Sequence, residues 1–169
     1  MTLGLATQRQ DLDIHFVIQD PDEDPGIDRQ PSRQDVRDDD LFELTQSANI
    51  RAAAYRQHAT ISGVTQSLFV LHRALGRPIS LTEPASEKYH AQDGVTTLVN
   101  GLTGAESYAE GQWVGAESTG LEPVIDLGEP TSISTVTARS LNSRPCWVHQ
   151  ADRMLVEISD DGTLFEPVE

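Results

Sequence analysis

Apolar residues recur at every second position in Leu12-Asp13-Ile14-His15-Phe16-Val17-Ile18, and no stretch from Ile79 onward holds a convincing helical spacing. A period of two puts alternate side chains on opposite faces of an extended chain, so this segment can bury one row only as a β-strand. A second alternating segment lies around Ile50, Ala52 and Ala54, and a third at Leu68-Phe69-Val70-Leu71, joined through the turn-like Ile61-Ser62-Gly63. These runs predict a small antiparallel β module. Between Asp20 and Asp40 the chain is Asp, Pro, Arg and Gln with few large apolar groups, a composition that cannot repay its ordering entropy and predicts an extended acidic loop. His72-Arg73-Ala74-Leu75-Gly76-Arg77-Pro78 reads as a connector, because Gly76 and Pro78 interrupt regular structure.

From Ile79 onward, short strand-like runs alternate with glycines. They are Thr97-Leu98-Val99, Gln112-Trp113-Val114, Val124 to Leu127, Ile133 to Ala138 and Met154 to Ser159. Turns at such intervals suit antiparallel hairpins. The expected class is all-β: a small antiparallel β module over residues 1–75, then a β-sandwich over 79–169. Val124, Ile125 and Leu127 read as a buried strand closed by Gly128.

Composition narrows the function classes. Hydrophobic residues are 37% and aromatics 5% of the chain, so any core is lean. Twelve Lys and Arg face 27 Asp and Glu, a formal charge of −15 that repels phosphate backbones and anionic lipid, so neither nucleic acid nor a membrane surface is an expected partner. Lys88 is the one lysine, a bias that suggests a salt-adapted or GC-rich source. Cys146 stands alone, which excludes an intrachain disulfide and a cysteine-rich zinc site. The N-terminus shows no export-signal pattern and the chain no long apolar run, so it is expected to be soluble, with its location otherwise open.

Several runs carry a resemblance. LFVLHRALGRPISLTEPASEKYH, LVNGLTGAESYAEGQWVGAESTGLEPVIDLGEPTSISTV and VEISDDGTLFEPV, with NIRAAAYR before them, resemble the C-terminal region of bacterial family 20 glycoside hydrolases, the β-N-acetylhexosaminidases. The most specific parts are Gly111-Gln112-Trp113-Val114-Gly115, Val124 to Gly128, and Ser159-Asp160-Asp161-Gly162. The resemblance implies a fibronectin-associated β module followed by a galactose-binding-like, discoidin-type sandwich of jelly-roll form. Such sandwiches are longer than residues 79–169, so it also implies that the closing strands and the catalytic barrel are missing and that the chain is a fragment. The parent family is often exported.

The residues themselves offer no catalytic constellation. Asp22-Glu23 is the only Asp-Glu dipeptide and sits in a hydrated acidic run rather than at the end of a barrel strand. Asp20, Asp22, Asp24 and Asp28 lack the glycine and distal glutamate of a calcium loop, and Asp38-Asp39-Asp40 reads as a solvent-facing turn. His15, His58, His72, His90 and His149 show no metal-ligand spacing, and Ser62 and Ser118 no nucleophile-elbow context. No enzyme activity, metal or cofactor is expected of this chain. Carbohydrate binding is the function a sandwich could carry, because sugars stack C–H faces on aromatic rings while their hydroxyls bond to polar side chains. The candidates are Tyr108 and Trp147, in loop-like surroundings, with Asn142 and Arg144 beside the latter; Trp113 is expected in the core. The alternative is a structural module without a ligand, packing on the lost barrel or on another copy of itself.

Overall fold

The structure is a computed structural model that describes residues 2–5, 12–22, 31, 41–89, 91–117 and 120–168. It divides into two compact units, Met1–His72 and Arg73–Glu169. Among the described residues every strand pair is antiparallel and helical structure is confined to short 3₁₀ segments, so what is described is all-β.

The first unit is organised around one strand. β4 (Ala48–Arg56) pairs along one edge with β2 (Asp13–Gln19), in a register running from Asp13 opposite Tyr55 to Gln19 opposite Asn49. Its other edge is shared by β5 (Ala59–Thr60) and β6 (Thr65–Phe69). The two partners leave a gap, which the chain closes locally: Ile61 N–H donates to the Ala54 carbonyl at 2.9 Å, and Ala54 N–H donates to the Ser62 hydroxyl at 2.8 Å. A side-chain oxygen thus takes the place of a missing ladder acceptor.

Alternation along β2 and β4 produces two unlike faces. Phe16, Ala48 and Ile50 are buried on one, packed with Leu44 and flanked by Leu3, Leu5, Ala52, Phe69 and Leu71. Leu3 comes from β1 (Thr2–Gly4), which pairs with β3 (Leu41–Glu43), so a two-stranded ribbon contributes to the cover of the apolar face. His15, Arg51, Ala53 and Tyr55 are buried on the opposite face. A strand covered on both sides has little room, which accounts for the three successive alanines at 52–54 despite their weak strand preference. The hairpin between β4 and β5 turns at Gln57 and His58, both left-handed, at φ 47° and 75°. Two-residue hairpins favour this geometry, but normally with Asn-Gly, so nothing in Gln57-His58 signals it.

The second unit begins with β7 (Ile79–Leu81), paired with β8 (Pro123–Ile125). Bonds from Asp126 N–H to the Pro78 carbonyl and from Thr82 N–H to the Glu122 carbonyl extend the ladder at both ends. Thr97-Leu98-Val99, expected as a strand, instead forms part of a 3₁₀ helix, Gly94–Val99, that packs against β7. The cause is local: Gly94 is left-handed after Asp93, and the Thr96 hydroxyl bonds back to the Asp93 carbonyl. Val99 at its end is 1% exposed. Gln112-Trp113-Val114 and Ile133 to Ala138 form no strand, and Val124 and Ile125 are each 38% exposed rather than buried. Strand preference gives a strand only where a neighbour pairs with it.

The expected Met154–Ser159 strand contracts to β9 (Glu157–Ile158), which pairs with β10 (Glu166–Pro167). Asp161 holds the turn between them: its Oδ1 accepts from the Ser159 hydroxyl, Thr163 N–H and Leu164 N–H at 3.0, 2.8 and 2.9 Å. Among the described residues, the sandwich expected over 79–169 is represented by the β7–β8 and β9–β10 ladders and one isolated pair, Ser143 with Val148.

Two outcomes are expected. Phe16→Ala removes the largest buried side chain of the apolar face and should cost the first unit about 3–5 kcal/mol in a urea melt. The Leu164 and Thr163 amides, and then Ser159, hold the Asp161 carboxyl below its ordinary value of 3.8. Their stabilisation of the turn is therefore complete above that value and lost as pH falls through the lower folded one. The Thr163 and Leu164 amide resonances should titrate with a midpoint below 3.8 and stop doing so in Asp161→Asn.

Candidate functional site

Ser143 and Val148 exchange both backbone hydrogen bonds, at 2.9 and 3.1 Å, and close a six-residue loop. Inside it, Cys146 N–H donates to the Ser143 carbonyl and Trp147 N–H to the Arg144 carbonyl, so Arg144–Cys146 is one turn of 3₁₀ helix. Pro145 fixes its own φ within that turn. Four backbone bonds in six residues make this a defined platform rather than a floppy connector.

Trp147 sits at the corner of the platform, left-handed at φ 59° and 82% exposed. Both features run against local preference. A left-handed non-glycine residue costs about 1–2 kcal/mol, and an indole that could bury roughly 150–250 Å² is instead left in water. Asn142, Arg144 and Cys146 are exposed on the same stretch. Of the four expected site residues, Arg144 and Trp147 lie on this turn and Asn142 directly precedes it in the chain.

Tyr108 lies apart from it. It starts a short 3₁₀ segment, Tyr108–Glu110, after Ser107, whose hydroxyl accepts from Ala109 N–H. Its ring meets Tyr89 edge-on at 5.8 Å between centroids and 80° between planes. Lys88 places its Nζ 5.1 Å from the Tyr89 centroid and 3.5 Å from Glu117 Oε1, and the Ser86 hydroxyl donates to Glu117 Oε2. Tyr89, and after it Glu117, hold the Lys88 ammonium above its ordinary value, which favours its charged form. No hydrogen bond or ring contact joins Tyr108 to Trp147 among the described residues.

Two aromatics of this unit, Tyr89 and Trp113, pack directly on glycine backbone. A Cβ on Gly115 would come within 2.7 Å of Tyr89, and one on Gly104 within 2.6 Å of the Trp113 ring. Trp113, expected in the core, is half-buried, and its Nε1 donates to the Ala105 carbonyl at 2.7 Å.

The polar face of the first unit is the other concentration of chemistry. His15, 6% exposed, stacks on Tyr55 with centroids 4.0 Å apart and planes at 15°, and the Tyr55 hydroxyl donates to the Pro31 carbonyl. The buried His15 Nδ1 has no hydrogen-bond partner among the described residues. Its burial suits packing better than catalysis, which needs contact with a substrate. Among the described residues, no group of three or more His, Cys, Asp or Glu could hold a metal ion, and no helix is long and apolar enough to cross a membrane. Asp22 N–H donates to Asp20 Oδ1 in a local turn. Glu23, Asp24, Asp28, Asp38-Asp39-Asp40, His90 and Ser118 lie outside the described residues.

Sequence reasoning missed the left-handed backbone of Trp147, the Lys88–Tyr89–Glu117 group and the His15–Tyr55 stack. Pro145 marked a turn, and Lys88 beside Tyr89 was the one ammonium available for a ring contact; the stack had no signal, since residues 15 and 55 meet only through the β2–β4 register. The chain matches no protein-family model, and no curated protein matches it significantly.

Gly115→Ala should push Tyr89 off the backbone and cost the second unit about 1–3 kcal/mol, read as a lower urea midpoint together with a shift of the Tyr108 ring resonances.

Proposed function

We propose that the chain is a non-catalytic accessory part of a β-N-acetylhexosaminidase-like glycoside hydrolase, and that its second unit, a galactose-binding-like sandwich, binds carbohydrate at the Trp147 turn. The family reading rests on the residue runs around Gly111–Gly115, Val124–Gly128 and Ser159–Gly162. The observation that carries the binding reading is Trp147 itself, an indole held almost fully in water on a hydrogen-bonded turn with Arg144 and Asn142 beside it. A sugar ring stacked on that face would bury apolar surface at little ordering cost, because the turn is already formed. Asn142 and Arg144 supply donors for its hydroxyls.

A second reading, a packing module without a ligand, draws on the β9–β10 hairpin. By alternation Ile158 and Val168 lie on one of its faces and Leu155 and Phe165 on the other, and all four are exposed, Leu155 at 76%. Each face also carries one glutamate, Glu166 beside Ile158 and Glu157 opposite Pro167, and exposed apolar side chains on both sides suit a contact with a further strand or another chain.

Calorimetry with N-acetylglucosamine and galactose oligomers separates the two. Saturable binding that Trp147→Ala weakens at least tenfold, with no turnover of an aryl N-acetylhexosaminide, supports the first. Silence from the unaltered protein, with concentration-dependent association in the ultracentrifuge, supports the second.

A further inference from the structure

The Trp147 turn differs in charge from the rest of its unit. Residues 130–151 hold no Asp or Glu, the longest such run in the second unit of a chain with 27 of them, and they carry Arg139, Arg144 and His149, all exposed. Arg139 and Arg144, like Arg73, Arg77 and Arg153, have no ion-pair partner among the described residues, so what sets the Trp147 turn apart is the acid-free run that carries it. Arg144 also accepts, through its carbonyl, the N–H of Trp147, so the solvated guanidinium and the exposed indole belong to the same turn.

We propose that the carbohydrate taken by this turn is acidic: a short oligosaccharide containing uronic acid, one ring stacked on Trp147 and its carboxylate paired with Arg144. This rests on the carbohydrate-binding reading above and narrows it. A neutral sugar offers Arg144 only hydroxyls, which bond a guanidinium no better than bulk water does. A carboxylate fits the planar guanidinium fork with two parallel charge-assisted hydrogen bonds. The same electrostatics limit the ligand's length. Beyond about one Debye length, roughly 8–10 Å, a polyanion meets the carboxylates of the remaining surface, so one or two charged rings are favoured and a long sulfated chain is not.

The test titrates the full chain with trigalacturonate and with its fully methyl-esterified form, which keeps the rings and removes the charge, following calorimetry and tryptophan fluorescence. The acid should bind at least tenfold more tightly than the ester. Arg144→Gln should bring the acid to the level of the ester, Arg144→Lys should fall between, and Trp147→Ala should weaken both ligands. Rising salt should narrow the gap between acid and ester. Equal affinity for acid and ester, or no change in Arg144→Gln and Arg144→Lys, overturns the acidic ligand and leaves the carbohydrate reading standing. Silence with both, and with neutral N-acetylglucosamine and galactose oligomers, overturns the two together.

Discussion

β4 is paired along both edges and covered on both faces, and the first unit is arranged to meet those four demands. Each is met by different means. β2 supplies a full-length partner, β5 and β6 divide the other edge, and Ser62 fills the interval between them. The apolar face receives Leu44 and the leucines at 3 and 5, while the opposite face buries a histidine, an arginine and a tyrosine. A chain with 37% hydrophobic residues cannot supply two apolar layers, and the second layer here is made from stacked rings and a long aliphatic stem instead.

The second unit is held together differently. Its ladders are two or three residues long, and much of its order comes from side chains bonded to nearby backbone: Asp161 across its turn, Gln112 to Ala105, Trp113 to Ala105, Asn100 to Leu102. Such bonds span few residues and fix local shape without needing a large core. They leave apolar side chains such as Leu155 and Leu164 in water and allow an aromatic group to stand out from the surface.

Legibility in the sequence followed the range of the interactions. The alternation over Leu12–Ile18 marked β2, and the runs at 50–54 and 68–71 located β4 and β6, because a period of two survives in any half-buried strand. The Gly94–Val99 helix was missed because three apolar or β-branched residues in a row look alike in either conformation, and only the Asp93-Gly94 turn decides between them. Ile133 to Ala138 failed for the opposite reason: strand-like side chains without a partner strand. Asn142, Arg144 and Trp147 could be grouped from adjacency alone, whereas Tyr108 belongs to a cluster set by long-range contacts with Tyr89.

The left-handed backbone at residue 147 has a consequence for the chain's history and its handling. Glycine or asparagine would occupy that corner at lower free energy, so any search that rewards thermal tolerance alone, whether in a laboratory library or by drift in the absence of a ligand, will tend to erase the indole. Retention of a bulky ring at that corner in independently diverged copies would mark selection for something other than endurance.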